Sequence, residues 1–463
     1  MTFLNSKIGE TSPTFGDPAN PAAQIACLPE FFVGQPGGMG KGGNGGNVDD
    51  VQRVLWYIHG KAYDLSTWLD THPGGSYLLT ITKATEVTAL YESYHAASLK
   101  ETSIKETLKK FEVPCASPLQ PPQDWSAVPI YDELKETVKT YRRLHGIKAT
   151  DSPITMAWYA IIFALHYTAF AAWVLGVGGR TGAFFFGLTI WLWAADMLHS
   201  GTHYAMTYDQ RLGEWLGWLG GAVFILPSAW VRQHVIGHHV HTNEFGKDPD
   251  LYMYYKDVFK KRPNAIYFTP WVAEIFPSFV GTIELLLNSK SLRNQSMSSA
   301  KSPWSPGEYS GAWCTLLGLL GTMAYVASHS SILQSLTPFF VAGVLFYIFS
   351  QVSHINDDSF AKPPSGEWAA IQITTSQGDY RYDSEFWNKM SIGLNNQALH
   401  HLFPTIHPCH FPALAKLMKP TFQKHGLPTV GWSQTIGQAL AKHWSHMKLL
   451  KHGFGRLGSE ARR

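Results

Sequence analysis

Cysteine is scarce in this chain. Cys27, Cys115, Cys314 and Cys409 are scattered over 463 residues, with no CxxC and no paired spacing. That excludes a disulfide framework and a zinc ribbon, and it fits soluble parts facing the reducing cytosol. Charge is thin as well. Lys, Arg, Asp and Glu make up 15% of the residues, against about 25% in soluble domains. The net charge is +3, and the Lys and Arg are not gathered into a stripe, so no nucleic-acid surface is expected. No basic stretch followed by an apolar core opens the sequence, so no cleavable signal peptide is expected.

Histidine, by contrast, is abundant, with 21 residues unevenly placed. His199/His203, His234/His238/His239 and His400/His401 form three tight clusters at or just beyond the ends of apolar stretches, and His354 closes another such stretch. Imidazole is the commonest side-chain metal ligand. Eight rings gathered this way point to a metal centre that works beside lipid. His241, His407 and His410 lie close by and are weaker ligand candidates. His145, His166, His329, His425, His443, His446 and His452 read as structural or surface residues.

Residues 1–47 end in a Gly-rich run and read as a disordered leader. Residues 48–114 change character and read as a small α+β module. Val54–Ile58 reads as a strand, His59-Gly60 as a turn, and Ser66 as the N-cap of a helix over Thr67–Asp70. His72-Pro-Gly-Gly75 follows, then a helical run to Tyr94-His95. Residues 115–153 read as a linker, stiffened by Pro118, Pro121 and Pro122.

From 154 to 463 the pattern is that of an all-α integral membrane domain. Ile154–Val177 carries no formal charge and is long enough to cross a hydrocarbon core of ~30 Å. Ala183–Leu198 returns and runs into His199, with Asp196 its only charge. A second pair comprises Ala312–Ile332 and Leu336–Val352, with a Ser/Gln/Pro turn between them. Trp215–Leu226 and Trp271–Leu287 are shorter or interrupted and read as helices at the interface. Four spans, interfacial helices and a cytosolic cap therefore make up the expected architecture.

Basic residues orient it. The segment between the two helix pairs is rich in Lys and Arg, whereas the two short turns carry only Arg180 and none. Both turns are then lumenal. The termini, the central segment and every histidine cluster are cytosolic.

At i, i+4 the rings of His199 and His203 share a helix face, as do those of His234 and His238. His239 follows His238 directly and points about 100° away on an ideal helix. His400-His401 repeats the adjacency, with Gln397 one turn earlier. Two adjacent pairs suggest two ions, each helix feeding one ring to each. Together with His354, the candidate ligands are His199, His203, His234, His238, His239, His354, Gln397, His400 and His401. Nitrogen-rich ligation suits iron, copper or zinc.

At these residues the chain resembles front-end fatty acyl desaturases with a fused N-terminal cytochrome b5 domain. The resemblance rests on three histidine boxes, the third opening with Gln397 instead of His. Thr242-Asn243, Asp248-Pro-Asp250 and Leu394 to Pro404 add to it. Within the family the chain looks most like Δ5-type enzymes, through Trp368 to Gln372, Thr374 to Gln377 and the third box. Tyr63-Asp64, His72-Pro-Gly-Gly75 and Tyr94-His95 resemble cytochrome b5. Departures are Ser200, where Asp commonly follows the first histidine, and His241, where an aromatic residue is common.

The resemblance implies a membrane di-iron enzyme of the endoplasmic reticulum. Its cofactors would be two non-haem iron ions and haem b, with O2 as co-substrate and His72 and His95 as axial haem ligands. NADH-cytochrome b5 reductase is the implied electron donor. The implied substrate is a long-chain polyunsaturated acyl lipid, carried on CoA or a phospholipid. The product would gain a cis double bond between an existing one and the carboxyl end. Asp196, Asn243, Asp248, Asp250 and Asn396 are candidates to support the ligands. Arg232, Lys256, Lys260, Lys261 and Arg262 are candidates for a phosphate headgroup. Δ5 action on C20 chains is the first reading. A Δ4, Δ6 or Δ8 acyl desaturase, a sphingolipid Δ8 desaturase and a lipid hydroxylase on the same scaffold stay open. A membrane haem protein that only relays electrons has no use for adjacent histidine pairs.

Overall fold

The computed structural model describes residues 54–244, 247–252 and 306–451. The Gly-rich leader, the stretch Trp271–Leu287 and the basic residues Lys256, Lys260, Lys261 and Arg262 lie outside them. The described chain is mostly helical, with one small three-stranded sheet near its start.

That sheet begins the N-terminal module. Strands β1 (Trp56–Ile58) and β2 (Lys61–Tyr63) pair antiparallel, Trp56 opposite Tyr63 and Ile58 opposite Lys61. The two loop residues both have positive φ, 50° at His59 and 68° at Gly60, the geometry that matches the twist of a two-residue hairpin. Strand β3 (Glu112–Val113) joins the edge of β2. Helices α1 (Tyr77–Ile81), α2 (Thr88–His95) and α3 (Glu101–Lys109) complete the module.

Two local expectations fail here. Ser66 does not cap a helix. Its amide donates to Asp64 Oδ1 at 3.1 Å, a local turn that competes with helix initiation, and only a short 3-10 turn, Leu69–Thr71, follows. The helical run toward His95 is also broken into α1 and α2, with Ala84 at φ 59° between them.

The segment 115–153 contains helix α4 (Pro129–His145), which the sequence reading did not anticipate. Its buried residues Ile130, Tyr131, Leu134 and Val138 recur at helical spacing. They share one apolar core with Trp56 and Leu90 of the N-terminal module and with Trp368, Leu399 and Phe403 further on. The helix is therefore packed between the two halves of the molecule.

Four described helices are long and apolar enough to cross a membrane. They are α5 (Pro153–Val174), α6 (Gly179–Thr202), α9 (Pro306–His329) and α10 (Ile332–His354). Twenty-two residues of α5 rise about 33 Å. Its start is fixed by Ser152, which accepts from the Thr155 amide, and by Pro153 at the first helical position. Helix α6 is the central element: 72% of its apolar window is buried, against 22% in α5 and 28% in α9. The outer helices expose Ile161, Leu165, Leu317 and Phe340, as lipid-facing surfaces would.

The second helix pair is tighter than expected. Ser331 caps α10 by accepting from the Gln334 amide, so Gln334 and Ser335 fall inside the first helical turn. Both are buried there: Trp173 Nε1 donates to the Gln334 carbonyl at 2.9 Å and Ser335 Oγ to that of Met323 at 2.8 Å.

Helix α6 is not uniformly α. Residues Ile190–Ala195 form a π segment, with bonds reaching five residues instead of four. Past it the helix packs against α7 (Gln210–Gly221), which lies where an interfacial helix was expected and exposes Leu212, Trp215 and Trp218. Glycine lets the two approach. A Cβ on Gly201 would stand 2.6 Å from the Gly217 amide nitrogen.

A second π segment, Val231–His238, lies within helix α8, residues 227–241. Helices α11 (Trp368–Thr374), α12 (Glu385–Met390), α13 (Gln397–Leu402), α14 (Phe411–Lys424) and α15 (Ile436–Lys451) form the C-terminal cap.

The Gly201 contact predicts that Gly201→Ala destabilises the protein by about 1–3 kcal/mol, the usual cost of overpacking. Thermal unfolding in detergent checks this, and an unchanged midpoint contradicts the α6–α7 contact.

Candidate metal centre and haem crevice

Four elements end at one place. The C-terminal end of α6 brings His199 and His203. Helix α8 brings His234, His238 and His239, α10 ends at His354, and α13 carries Gln397, His400 and His401. All nine side chains are buried.

The histidines sort into two groups. Ligand-capable atoms of His199, His203, His234 and His400 lie within 4.8 Å of one another, and those of His238, His354 and His401 form a second such group. The adjacent pair 400/401 is thus divided between them. His239 stands between the groups, its ring centroid 4.6 Å from those of His203, His234 and His400 and stacked on His401 at 4.2 Å.

The π segment in α8 sets this arrangement. On an ideal α-helix His239 turns away from His234. Here their Nε2 atoms are 3.1 Å apart. His199 Nε2 and His400 Nε2 approach to 2.9 Å in the same way. Two bonds of about 2.1 Å to one ion, set at a right angle, place the bound nitrogens about this far apart.

Further ring nitrogens are buried without a hydrogen-bond partner: His199 Nδ1, His203 Nε2, His239 Nδ1, His354 Nε2 and His401 Nε2. Gln397 Oε1 is another such atom. Buried polar atoms are almost always satisfied. The orphaned Nε2 atoms of His203, His354 and His401 and Gln397 Oε1 fit metal ligation, while His199 and His239 direct Nε2 at neighbouring rings and would carry the ring proton on Nδ1.

On four rings Nδ1 is anchored. His238 Nδ1 faces both carboxylate oxygens of Asp248 at 3.1 Å, with Asp250 at 3.6 Å. Burial alone would push this imidazole's pKa down, yet the two carboxylates hold it up at about 9, which makes the ring a more basic ligand. His401 Nδ1 meets Gln372 Oε1 at 2.9 Å and Thr242 Oγ1 at 3.0 Å. His354 Nδ1 donates to the Thr375 carbonyl at 2.9 Å. His203 Nδ1 is 2.9 Å from the Tyr94 hydroxyl. Of these partners, only Asp248 and Asp250 had been singled out as ligand supports. Gln372 and Thr242 belong to stretches that carried the family resemblance, but no spacing rule links them to His401.

The other singled-out residues stand further off. Asp196 accepts from Tyr159 and Ser200, each at 2.8 Å. Asn243, at φ 58°, donates through Nδ2 to the carbonyls of His354 and Ser359, and its amide donates to Asp248. Asn396 precedes α13 and reaches Asn388 at 3.5 Å. Arg232 is 2% exposed, so a headgroup could meet it only inside the fold. His407 bonds Tyr159 at 2.7 Å, His410 meets Tyr141 and the Lys148 carbonyl, and His241 pairs with Glu244.

A second site adjoins the first. A crevice of about 830 Å³ opens beside His72 and His95. His95 Nδ1 is held by the Tyr91 carbonyl at 2.7 Å and His72 Nδ1 by that of Gly75 at 3.0 Å, leaving Nε2 of each ring as the remaining nitrogen. The ring centroids are 6.3 Å apart, a span that two metal–imidazole bonds of about 2 Å and two half-rings fill. Burial lowers both pKa values, favouring the neutral, ligating form. The rest of the lining is largely apolar, with Leu78, Leu79 and Leu90 on the module side. Arg142, Lys148, Tyr204 and Tyr208 close it from beyond the module. These residues fit a bis-imidazole haem.

Comparison with known proteins accords with this geometry. A model of the fatty acid desaturase family matches residues 171–432. The chain belongs to the fatty acid desaturase family. A cytochrome b5-like haem/steroid-binding model matches residues 46–114. Among relatives, the Delta(5) fatty acid desaturase A of Dictyostelium discoideum is 28% identical, over 84% of this chain and 89% of its own. The acyl-lipid (8-3)-desaturase of Mortierella alpina is 25% identical, over 85% and 93%. That of Physcomitrium patens is 28% identical, over 86% and 88%. No solved structure matches. This desaturase is thus an oxidoreductase of the front-end, cytochrome b5-fused kind, acting on fatty acyl lipids.

The crevice predicts that the desaturase with His72→Ala or His95→Ala loses its haem absorbance while the helical domain still inserts. In the wild type, both imidazoles have lowered pKa values. The folded state therefore binds fewer protons than the unfolded one just below the usual histidine range. Stability, and with it haem retention, should fall as pH drops through that range. A pH titration of the haem absorbance checks the sign, and tighter haem binding on acidification contradicts it.

Proposed function

We propose that this desaturase introduces a Δ5 cis double bond into C20 polyunsaturated acyl chains. In this reading two iron ions are held by His199, His203, His234, His238, His239, His354, His400, His401 and Gln397, and haem b by His72 and His95. The observation that carries it is the pair of buried imidazole groups with the haem crevice against them. The Δ5 assignment is supported by the names of the relatives, among them a Delta(5) desaturase aligned over most of both chains.

When bound, the irons and haem supply the O2-dependent, two-electron chemistry that removes two hydrogens from adjacent methylenes and releases water. The chain's own residues hold and orient. Asp248 fixes the His238 ring through Nδ1, Gln372 and Thr242 fix His401, and the Thr375 carbonyl fixes His354. Burial of all eight rings keeps bulk water from the reacting carbon. His72 and His95 would hold the haem, which would supply electron transfer. NADH-cytochrome b5 reductase fits as the donor, and the acyl chain arrives on CoA or a phospholipid.

We place the protein in the endoplasmic reticulum membrane, with termini, haem module and metal centre cytosolic. The paucity of basic residues in the two short turns supports that orientation. It also agrees with the ends of α6 and α10 and the start of α5 lying at one end of the bundle.

Expression in a yeast that makes no polyunsaturated acids, fed defined C18, C20 and C22 acids singly, tests the reading. A new Δ5 bond in C20 acids is expected, and none from His400→Ala. Conversion of C18 acids alone, a hydroxylated product or a modified sphingoid base would each replace it.

A further inference from the structure

Tyr94 joins the haem module to the metal centre. Tyr94 precedes His95 at the end of α2, so it is covalently joined to a candidate haem ligand. Its hydroxyl lies 2.9 Å from Nδ1 of His203, 109 residues away. The other nitrogen of that ring, Nε2, is among the orphaned atoms of the first histidine group. Tyr94 is half-buried, its ring 6.2 Å from that of His203 and 6.3 Å from that of Tyr204.

The surroundings fix this junction on several sides. Arg142 of α4 donates to the Ala97 carbonyl at 2.6 Å, just past His95. Lys139 of α4 bonds Glu101 of α3 at 2.5 Å. Tyr131 of the same helix donates to the Leu402 carbonyl in α13 at 2.9 Å. On the other side of the crevice, Lys148 donates to the carbonyls of Tyr204 and Thr405, at 2.6 and 2.9 Å. One helix thus grips both the haem module and the element carrying His400 and His401.

We propose that Tyr94 is the positioning residue that couples the two redox centres: it orients His203 toward the metal through Nδ1 and links a haem ligand directly to a metal ligand. This rests on the function proposed above. The path runs from His95 along one peptide unit to Tyr94, then across one hydrogen bond to His203. Each passage takes one electron from the reduced haem and delivers one to the metal centre. The haem iron is oxidised by one unit and a metal ion reduced by one. The proton shared by Tyr94 and His203 stays in its hydrogen bond, so no covalent bond breaks. The reductant is NADH through the reductase, or a photoreductant in the test.

The experiment compares wild type and Tyr94→Phe, as full-length protein loaded with haem and iron in lipid nanodiscs. The haem is photoreduced in a flash, and its reoxidation is followed by absorbance with acyl substrate and O2 present. Rates are read on molecules matched for haem and iron content. Phe keeps the ring and removes only the hydroxyl, so an unchanged haem spectrum is expected, with reoxidation slowed roughly 10–100-fold, the usual effect of losing a ligand's outer partner. Reoxidation at the wild-type rate would overturn the role of Tyr94. Failure of the wild-type haem to reoxidise faster than an iron-free sample would instead overturn the proposed function. Tyr94→Leu, which removes the ring as well, should be at least as slow. A Leu variant as fast as wild type overturns the coupling even if Tyr94→Phe proved unstable.

Discussion

The rest of the structure depends on burying eight imidazoles at one end of an apolar helical bundle. Burial, followed by the neighbouring rings, holds His234, His239, His400 and His401 well below the usual imidazole range. Uncharged rings present lone pairs, and lone pairs facing one another repel unless something electrophilic lies between them. Each supporting feature answers that demand. Asp248, Gln372, Thr242, the Thr375 carbonyl and Tyr94 occupy Nδ1 of His238, His401, His354 and His203 and leave Nε2 of those rings to converge.

Backbone geometry meets the same demand. Both π segments immediately precede or contain candidate ligands, Ile190–Ala195 before His199 and Val231–His238 around His234. The second brings His234 and His239 together across five residues. Small residues do the complementary work, since Gly201 lets α7 close on α6 between His199 and His203.

Much of this was legible in the sequence because it depends on short-range pattern. The i, i+4 pair His199/His203, the divided pair His400/His401 and the two hydrophobic helix pairs follow from spacing and run length, whereas His234 and His238, also at i, i+4, fall into different groups. The hairpin turn at His59-Gly60 followed from local composition. What escaped depends on tertiary context. The π register has no spacing signal, so His239 was expected to point away from His234. Helix α4 hid behind a proline-rich stretch that reads as tether. Ser66 looked like a cap, but the segment it would open forms only a 3-10 turn over Leu69–Thr71, preceded by Trp68. Contacts such as Tyr94–His203 and Gln372–His401 join residues far apart in the chain, and no local pattern announces them.

The central claim is that two non-haem ions share one nitrogen-rich site beside the haem crevice. Iron quantification with X-ray absorption on the purified full-length protein, after subtracting the haem contribution, tests it most directly. The account predicts two non-haem irons per chain with a first shell dominated by imidazole nitrogen, at about 2.0–2.2 Å as for other imidazole-bound metals. A single non-haem ion per chain, or a first shell dominated by sulfur or carboxylate oxygen, would contradict it.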